Sequence, residues 1–359
     1  MAYTLPPSLM DLMMESNKPA VHRRCLSELE RAGSQTLTEL LMTFSKNSHP
    51  VSFLIYTLIL PWAADVARYM SIPSAFLYIQ SATSLALCYH FLNRHAGVHD
   101  LYNSCVNNPP SSVVVPGLPP FETEDIPSFL LPHGPHSSLI PVFRHHIQVL
   151  EQEPSPCVLL NTYDCLEEDA IAAIGNINPI PIGPLIPLSL LDKNHQSDTS
   201  CGCDLFEKST EYVRWLNSKP KRPFLWIIRS SDNKDTEFEE MAREKFADQT
   251  ANAKMIEEVW RNGVRARVNE VGIVEAEEIR RCLEVVIGSG EGGQEIRSNA
   301  KKWRGLALDA VKVGGSSHNN LKAFLENITA SAKKINGVFD GGAENKTTDA
   351  AKPNENSKN

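Results

Sequence analysis

Positive charge is in short supply: 35 Lys and Arg stand against 43 Asp and Glu, a net charge of −8 over 359 residues. A chain that tracks phosphates needs a basic face, so nucleic acid is excluded as a partner. The basic spots His22-Arg23-Arg24 and Lys219-Pro-Lys-Arg222 are short and read as solvated helix ends or linkers. Cysteine pairing is equally thin. Of eight cysteines only Cys201 and Cys203 lie close together, and without a second Cys/His pair at finger spacing no zinc site is expected. Cys88, Cys157 and Cys282 sit in apolar runs and read as small buried thiols of a reducing, intracellular setting. Met1 to Lys18 has no basic region ahead of an apolar stretch, so no secretory leader is expected.

The usual catalytic signatures are missing too. There is no Gly-x-Ser-x-Gly elbow, no Gly-Lys-Ser/Thr phosphate loop and no His-Glu-x-x-His. Gly288-Ser-Gly-Glu-Gly-Gly293 lacks phosphate-loop spacing, follows a helix and reads as an interhelical loop. The eleven histidines show no metal spacing. His145 and His146 fall on different faces of one expected helix, and each single His reads as a surface or helix-end residue. One run lacks charge: Tyr69 to Asn93 has no Lys, Arg, Asp or Glu and is long enough to span a bilayer. Pro73, Gln80 and His90 interrupt it, and a strand from Ala75 to Ile79 followed by a helix from Thr83 to Phe91 accounts for it better.

What is present is ample for a core: 42% of residues are hydrophobic and 22% charged. Leu26, Leu29, Leu37, Leu40, Leu41 and Phe44 recur at three- and four-residue steps and predict a helix with one apolar face. Val51 to Leu60 is a continuous β-rich run, as in a parallel strand covered on both faces, and Pro61 opens the next helix. A Pro-rich irregular segment (107–141), a helix (142–151), a buried strand (157–162), a helix (166–174) and an extended run (179–187) follow. Strand and helix alternate, so the first half reads as parallel α/β. Residues 189–203 are polar and read as a linker. Asp204-Leu-Phe-Glu207 has capping-box spacing for a helix to Leu216, and Phe224 to Arg229 is a short strand. Beyond it four helices are expected, carrying Ile256/Val259/Trp260, Ile279/Leu283/Val286, Ile296/Ala300/Trp303/Ala307 and Leu321/Phe324/Leu325/Ile328. One strand cannot make a parallel sheet, so the second half is either helical or short of strands.

Five segments, in order, resemble the plant UDP-dependent glycosyltransferases of family 1: Phe53 to Arg68, Ile72 to Thr83, Leu159 to Glu167, Pro181-Ile-Gly-Pro-Leu-Ile-Pro187 and Phe224 to Arg229. Asp248-Gln-Thr-Ala-Asn-Ala-Lys254 and Gly314-Gly-Ser-Ser-His-Asn-Asn-Leu321 continue the match, which covers about residues 20–335 and is most similar to the crocetin glucosyltransferases, with flavonoid glucosyltransferases near. The resemblance implies a GT-B fold of two facing Rossmann-like domains. It assigns residues 1–192 to an acceptor-binding domain, 193–204 to a linker, 205–338 to a UDP-sugar-binding domain and 339–359 to a disordered tail. It also implies UDP-glucose as co-substrate, no cofactor or metal, and a small lipophilic acceptor such as an apocarotenoid acid or a flavonoid. The family's reaction is an inverting displacement in which a His, oriented by an Asp, takes the acceptor proton.

Against that pattern both domains are incomplete and the C-terminal half is mostly helical. The loop carrying the family's His has no counterpart, so the catalytic base is unassigned, and Thr57 stands at the place of the orienting Asp. The Ser/Gly-rich turn expected between Arg222 and Phe224 is missing, and between Lys245 and Ala247 most of the sugar-nucleotide box is missing. Its last two residues, Asp248 and Gln249, remain and by resemblance bind the sugar hydroxyls; Asp248 reads equally as a helix cap. Ile59, Ile79 and Gln80 take acceptor-facing places in the family, with strand-core packing the other reading for the two Ile. Two functions stand: a cytosolic glucosyltransferase impaired by its deletions, or an inactive remnant that binds small molecules or an intact relative. Uncovered helix faces at Ile256/Val259 and Ile279/Leu283 lead us to expect a monomer prone to aggregation and poor soluble expression.

Overall fold

The computed structural model describes residues 19–47, 49–92, 112–131, 136–175, 177–186, 249–269 and 274–340. Contacts divide the chain into residues 1–321 and residues 322–359. The linker 193–204, the capping box at Asp204, the strand at Phe224, the Cys201/Cys203 pair, Asp248 and nearly all of the tail lie outside the described residues.

The chain opens with α1 (Pro19–Lys46), the helix its apolar steps predict. Cys25, Leu29 and Leu41 are buried on it, whereas Leu40 and Phe44, placed by the same steps on the inner face, are exposed. Strand β1 (Leu54–Thr57) is shorter than the β-rich run around it. The reason is local: the Leu60 N–H turns back to the Thr57 carbonyl, and the Leu58 carbonyl is taken by His146. Pro61 then starts α2 (Pro61–Tyr69), where its missing N–H costs nothing. The two helices meet at Gly33, where a Cβ would clash with the indole of Trp62. That contact explains a glycine in mid-helix despite its cost in propensity.

Next come β2 (Ser74–Tyr78) and α3 (Ala82–Leu92), the strand and helix predicted for the uncharged run. Among the described residues no helix is long and apolar enough to cross a membrane. The described part of the Pro-rich segment forms a small hairpin, β3 (Ser112–Val113) with β4 (Phe121–Glu122), and three 3-10 turns. Irregular as it is, it contributes Phe121, Ile126, Phe129 and Leu130 to the core. Helix α4 (Ile140–Gln152), β5 (Val158–Leu160), α5 (Glu168–Ala173) and β6 (Pro179–Pro181) complete the first half.

The main sheet is parallel in the order β1-β2-β5-β6, with Tyr56 beside Phe76, Leu77 beside Leu159 and Leu159 beside Ile180. All three residues of β5 are buried, as in a strand covered on both faces. At the centre lies His146, which corrects its reading as a surface or helix-end residue. It is 1% exposed, with its ring stacked 4.0 Å from Phe76 and 5.9 Å from Tyr56. A neutral imidazole is flat and apolar enough to serve as a core ring, which periodicity alone does not reveal.

The described C-terminal part is helical. Helix α6 (Gln249–Lys254) runs into a π-helical turn, Met255–Val259, and is followed by α7 (Ala276–Ile287), α8 (Glu291–Val311) and α9 (Ser316–Asp340). Gly288 to Gly290 lie between α7 and α8, whereas Glu291 to Gly293 open α8, so only the first half of that glycine-rich run is the interhelical loop expected of it. Ala251 and Met255 join the core of the first half, and Trp260 packs against it. Helix α7 buries no residue, although its sequence is amphipathic. Cys282, on that helix, is therefore half-buried, as is Cys157, while Cys88 is fully buried.

Candidate functional site

The residues singled out by sequence gather at the C-terminal ends of β1 and β2, the side of a parallel sheet where loops carry binding groups. Thr57 ends β1, and its hydroxyl donates to the Leu77 carbonyl at 3.0 Å. It pins the two strand ends together, a task an aspartate, which only accepts, would not perform. Ile59 and Ile79 follow the two strands and are 41% and 46% exposed, so neither is core packing. Gln80 is half-buried, and its Oε1 accepts from the Tyr78 hydroxyl at 3.0 Å. Asn161, at the end of β5, donates to the Ile79 carbonyl at 2.8 Å and accepts the Leu185 N–H at 2.7 Å.

The extended run after β6 passes close beside these ends. The Gly183 N–H bonds the Thr162 carbonyl at 2.7 Å, and a Cβ on Gly183 would lie 2.6 Å from the Thr162 nitrogen. The first turns of α9 hold the run from the other side: Ser317 Oγ donates to the Gly183 carbonyl and Asn320 Nδ2 to the Pro181 carbonyl. Two of the segments that carry the resemblance thus meet at one place, through Pro181 and Gly183 on one and Ser317 and Asn320 on the other.

Helix α6 reaches the same side. Ser81 Oγ donates to Asn252 Oδ1 at 2.7 Å, and the Thr250 hydroxyl to the Ile126 carbonyl at 3.3 Å. Gln249, the first described residue of α6, is exposed, three positions before the Asn252 that bonds the neighbour of Gln80. Asp248 lies outside the described residues. Of the pair Asp248 and Gln249, one member is therefore located, and it stands on a helix bonded to the turn after β2.

Three features here have no signal in spacing. Asp125 is buried between Arg265 Nη1 at 2.6 Å and Lys254 Nζ at 3.2 Å. Burial works to raise its carboxyl pKa, but the hydrogen bonds from Arg265 and Lys254 outweigh it and hold the group below the ordinary carboxylate range. Glu167 is buried and accepts the Ala82 and Thr83 N–H groups and the Thr83 hydroxyl, so a carboxylate from the β5 side caps α3. His145 Nε2 lies 2.7 Å from Asp65 Oδ2, a His–carboxylate pair between α4 and α2 that is 80 residues apart in sequence. Among the described residues no cluster of three or more His, Cys, Asp or Glu is arranged to hold a metal ion.

No family model matches the chain. Individual proteins do. UDP-glycosyltransferase 75C1 of Solanum lycopersicum is 37% identical, covering 86% of this chain and 83% of that protein. Crocetin glucosyltransferase, chloroplastic, of Gardenia jasminoides is 36% identical, covering 85% and 81%. Among solved structures, Os79 of O. sativa in complex with UDP superposes with a TM-score of 0.69 at 21% identity, over 85% of this chain and 84% of that one. The last likeness shows the fold, and it is the GT-B fold. The first alignment runs over 393 positions, whereas 86% of 359 residues is about 309, so about 84 aligned positions have no residue here. Identity of this degree over most of both chains leaves one assignment: the chain belongs to the plant UDP-glycosyltransferases, GT-B enzymes whose co-substrate is a UDP-sugar.

Proposed function

We propose that this chain is a UDP-glucosyltransferase with acceptor-side architecture largely retained and sugar transfer impaired. Its acceptor is a small lipophilic molecule, an apocarotenoid acid or a flavonoid, and it acts as a monomer in the cytosol. The observation that carries this reading is the docking of α6. Asn252 bonds Ser81 beside Gln80, so Gln249 stands near the acceptor-side residues as a sugar-binding residue must. Ahead of Gln249 only Asp248 remains of the family's donor box, and two polar side chains orient a hexose without holding a diphosphate. The unmatched alignment positions support the same conclusion.

Titrating the full chain with UDP-glucose, and assaying product with crocetin and a flavonoid, tests this. Weak donor binding with slow turnover is expected. Micromolar donor binding with rapid turnover would overturn the impairment. No donor binding and no product would favour the inactive remnant, the reading that the unassigned base supports. Sedimentation of the purified chain and imaging of a tagged form in plant cells check the monomer and the cytosol.

A further inference from the structure

We propose that a cavity of about 270 Å³ between α1, α2, the β1–α2 turn and α4 binds a single-ring aromatic acid, separately from the face that carries Ile79 and Gln80. Its apolar wall is Leu26, Ile59, Pro61, Trp62, Pro141 and Val142. Its polar groups are Arg23, Ser27 and Glu30 of α1 with Ser138 and His145. Arg23, Leu26, Ser27 and Glu30 follow at steps of three, one and three, so one stripe of α1 forms a wall of the cavity.

Two observations point to a ligand there. His145 is held in a fixed orientation. Asp65 only accepts, so Nε2 carries the hydrogen towards it, and Asp65 is itself held by Arg68 Nη1 at 3.2 Å. That leaves Nδ1 as the ring's remaining polar atom, a lone pair for a hydroxyl when neutral and a second donor when charged. Arg23 supplies a cation for a carboxylate, and Glu30 is the one acidic residue of the lining.

At about 270 Å³ the cavity lies at the lower end of the range of small-molecule sites, the scale of one aromatic ring bearing a carboxyl and a hydroxyl. The site shares only Ile59 with the acceptor-facing residues, and it rests on the acceptor-binding reading for that one residue.

The probe is 4-hydroxybenzoate, titrated calorimetrically into the full chain without donor, so the result is separate from the outcome with UDP-glucose. Saturable one-to-one binding in the sub-millimolar range is expected. Ile59→Trp, at an exposed position, fills the cavity and should abolish binding while circular dichroism stays unchanged. Arg23→Gln should weaken the acid at least ~5-fold, about 1 kcal/mol, and leave phenol binding as it is. No saturation by the native chain, or equal binding by the native and Ile59→Trp chains, would overturn the proposal.

Discussion

His146 gives a pH dependence that can be worked from the structure. Its Nε2 lies 2.6 Å from the Leu58 carbonyl, which only accepts, so the ring hydrogen is on Nε2 and Nδ1 is bare. Nδ1 is buried without a partner. A second proton would therefore sit on a desolvated nitrogen with nothing to receive it. Burial, the main cause, pushes the imidazole down to about 3; the Leu58 hydrogen bond opposes this and the neighbouring His145 adds to it. In the unfolded chain the group titrates near its ordinary value of about 6.5. Between those values the unfolded state binds a proton that the folded state refuses, so stability falls as pH falls from about 6.5 towards 3. From pH 7 to pH 5 the loss comes to about 2 kcal/mol, a large part of a domain stability of about 5–15 kcal/mol. His146→Phe keeps a ring against Phe76 and removes the titration. It also leaves the Leu58 carbonyl unbonded, a cost of about 1–2 kcal/mol at every pH. Urea unfolding followed by circular dichroism at pH 7, 6 and 5 should show native and variant curves converging on acidification. Asp125, whose carboxyl is held low, loses its contribution only below the ordinary carboxylate range and stays out of this window. A constant gap between native and variant from pH 7 to pH 5 would refute the reasoning.

Asp125→Asn removes the carboxylate that joins Arg265 and Lys254, while Lys254 keeps Glu258 at 2.9 Å, and should destabilise by about 1–3 kcal/mol; limited proteolysis should then release residues 249–269 first. Glu167→Gln keeps one acceptor oxygen where two receive three donors from residues 82–83, and should cost about 1–3 kcal/mol in denaturant unfolding. Gly183→Ala forces a Cβ to within 2.6 Å of the Thr162 nitrogen, so the strap between β5 and α9 must move. A loss of at least about 2 kcal/mol is expected, visible as a lower melting temperature.

The first half of the chain was readable because its signals are local. Pro61 marks a helix start, Ala75 to Ile79 a buried strand and Ile140 to Gln152 a helix, and each lies within two or three residues of its expected place. Resemblance singled out Thr57, Ile59, Ile79 and Gln80, and the structure places Thr57 at the end of β1 and the other three just past β1 and β2. What sequence left dark is long-range. Asp65 with His145, Asp125 with Lys254 and Arg265, and Glu167 with Ala82 are separated by 80 or more residues, and no periodicity links them. Hydrophobic count misled at two points. His146 carries polar atoms yet fills the core, because its only hydrogen is satisfied by a carbonyl and its ring stacks. Helix α7 carries an apolar face that is only half-buried, with α8 as its neighbour, because how fully a face is covered depends on a partner its own sequence cannot report.

The helix faces expected to stand uncovered are covered in part: Ile256, Ile279 and Leu283 are half-buried, and Val259 is exposed. Helix α6 finds its cover on the acceptor-side half, through Ala251, Met255 and the paired charges at Asp125. A buried ion pair adds little stability over apolar packing, yet removing either partner strands a charge, so the pair fixes which surfaces meet. The same contact holds Gln249 beside the Gln80 turn. Under the role proposed for Gln249, docking and sugar orientation depend on one interface, and a variant that frees α6 should lose any donor preference together with stability. Asp125→Asn tests that coupling. If residual UDP-glucose binding survives once proteolysis reports α6 released, Gln249 plays no part in holding the sugar.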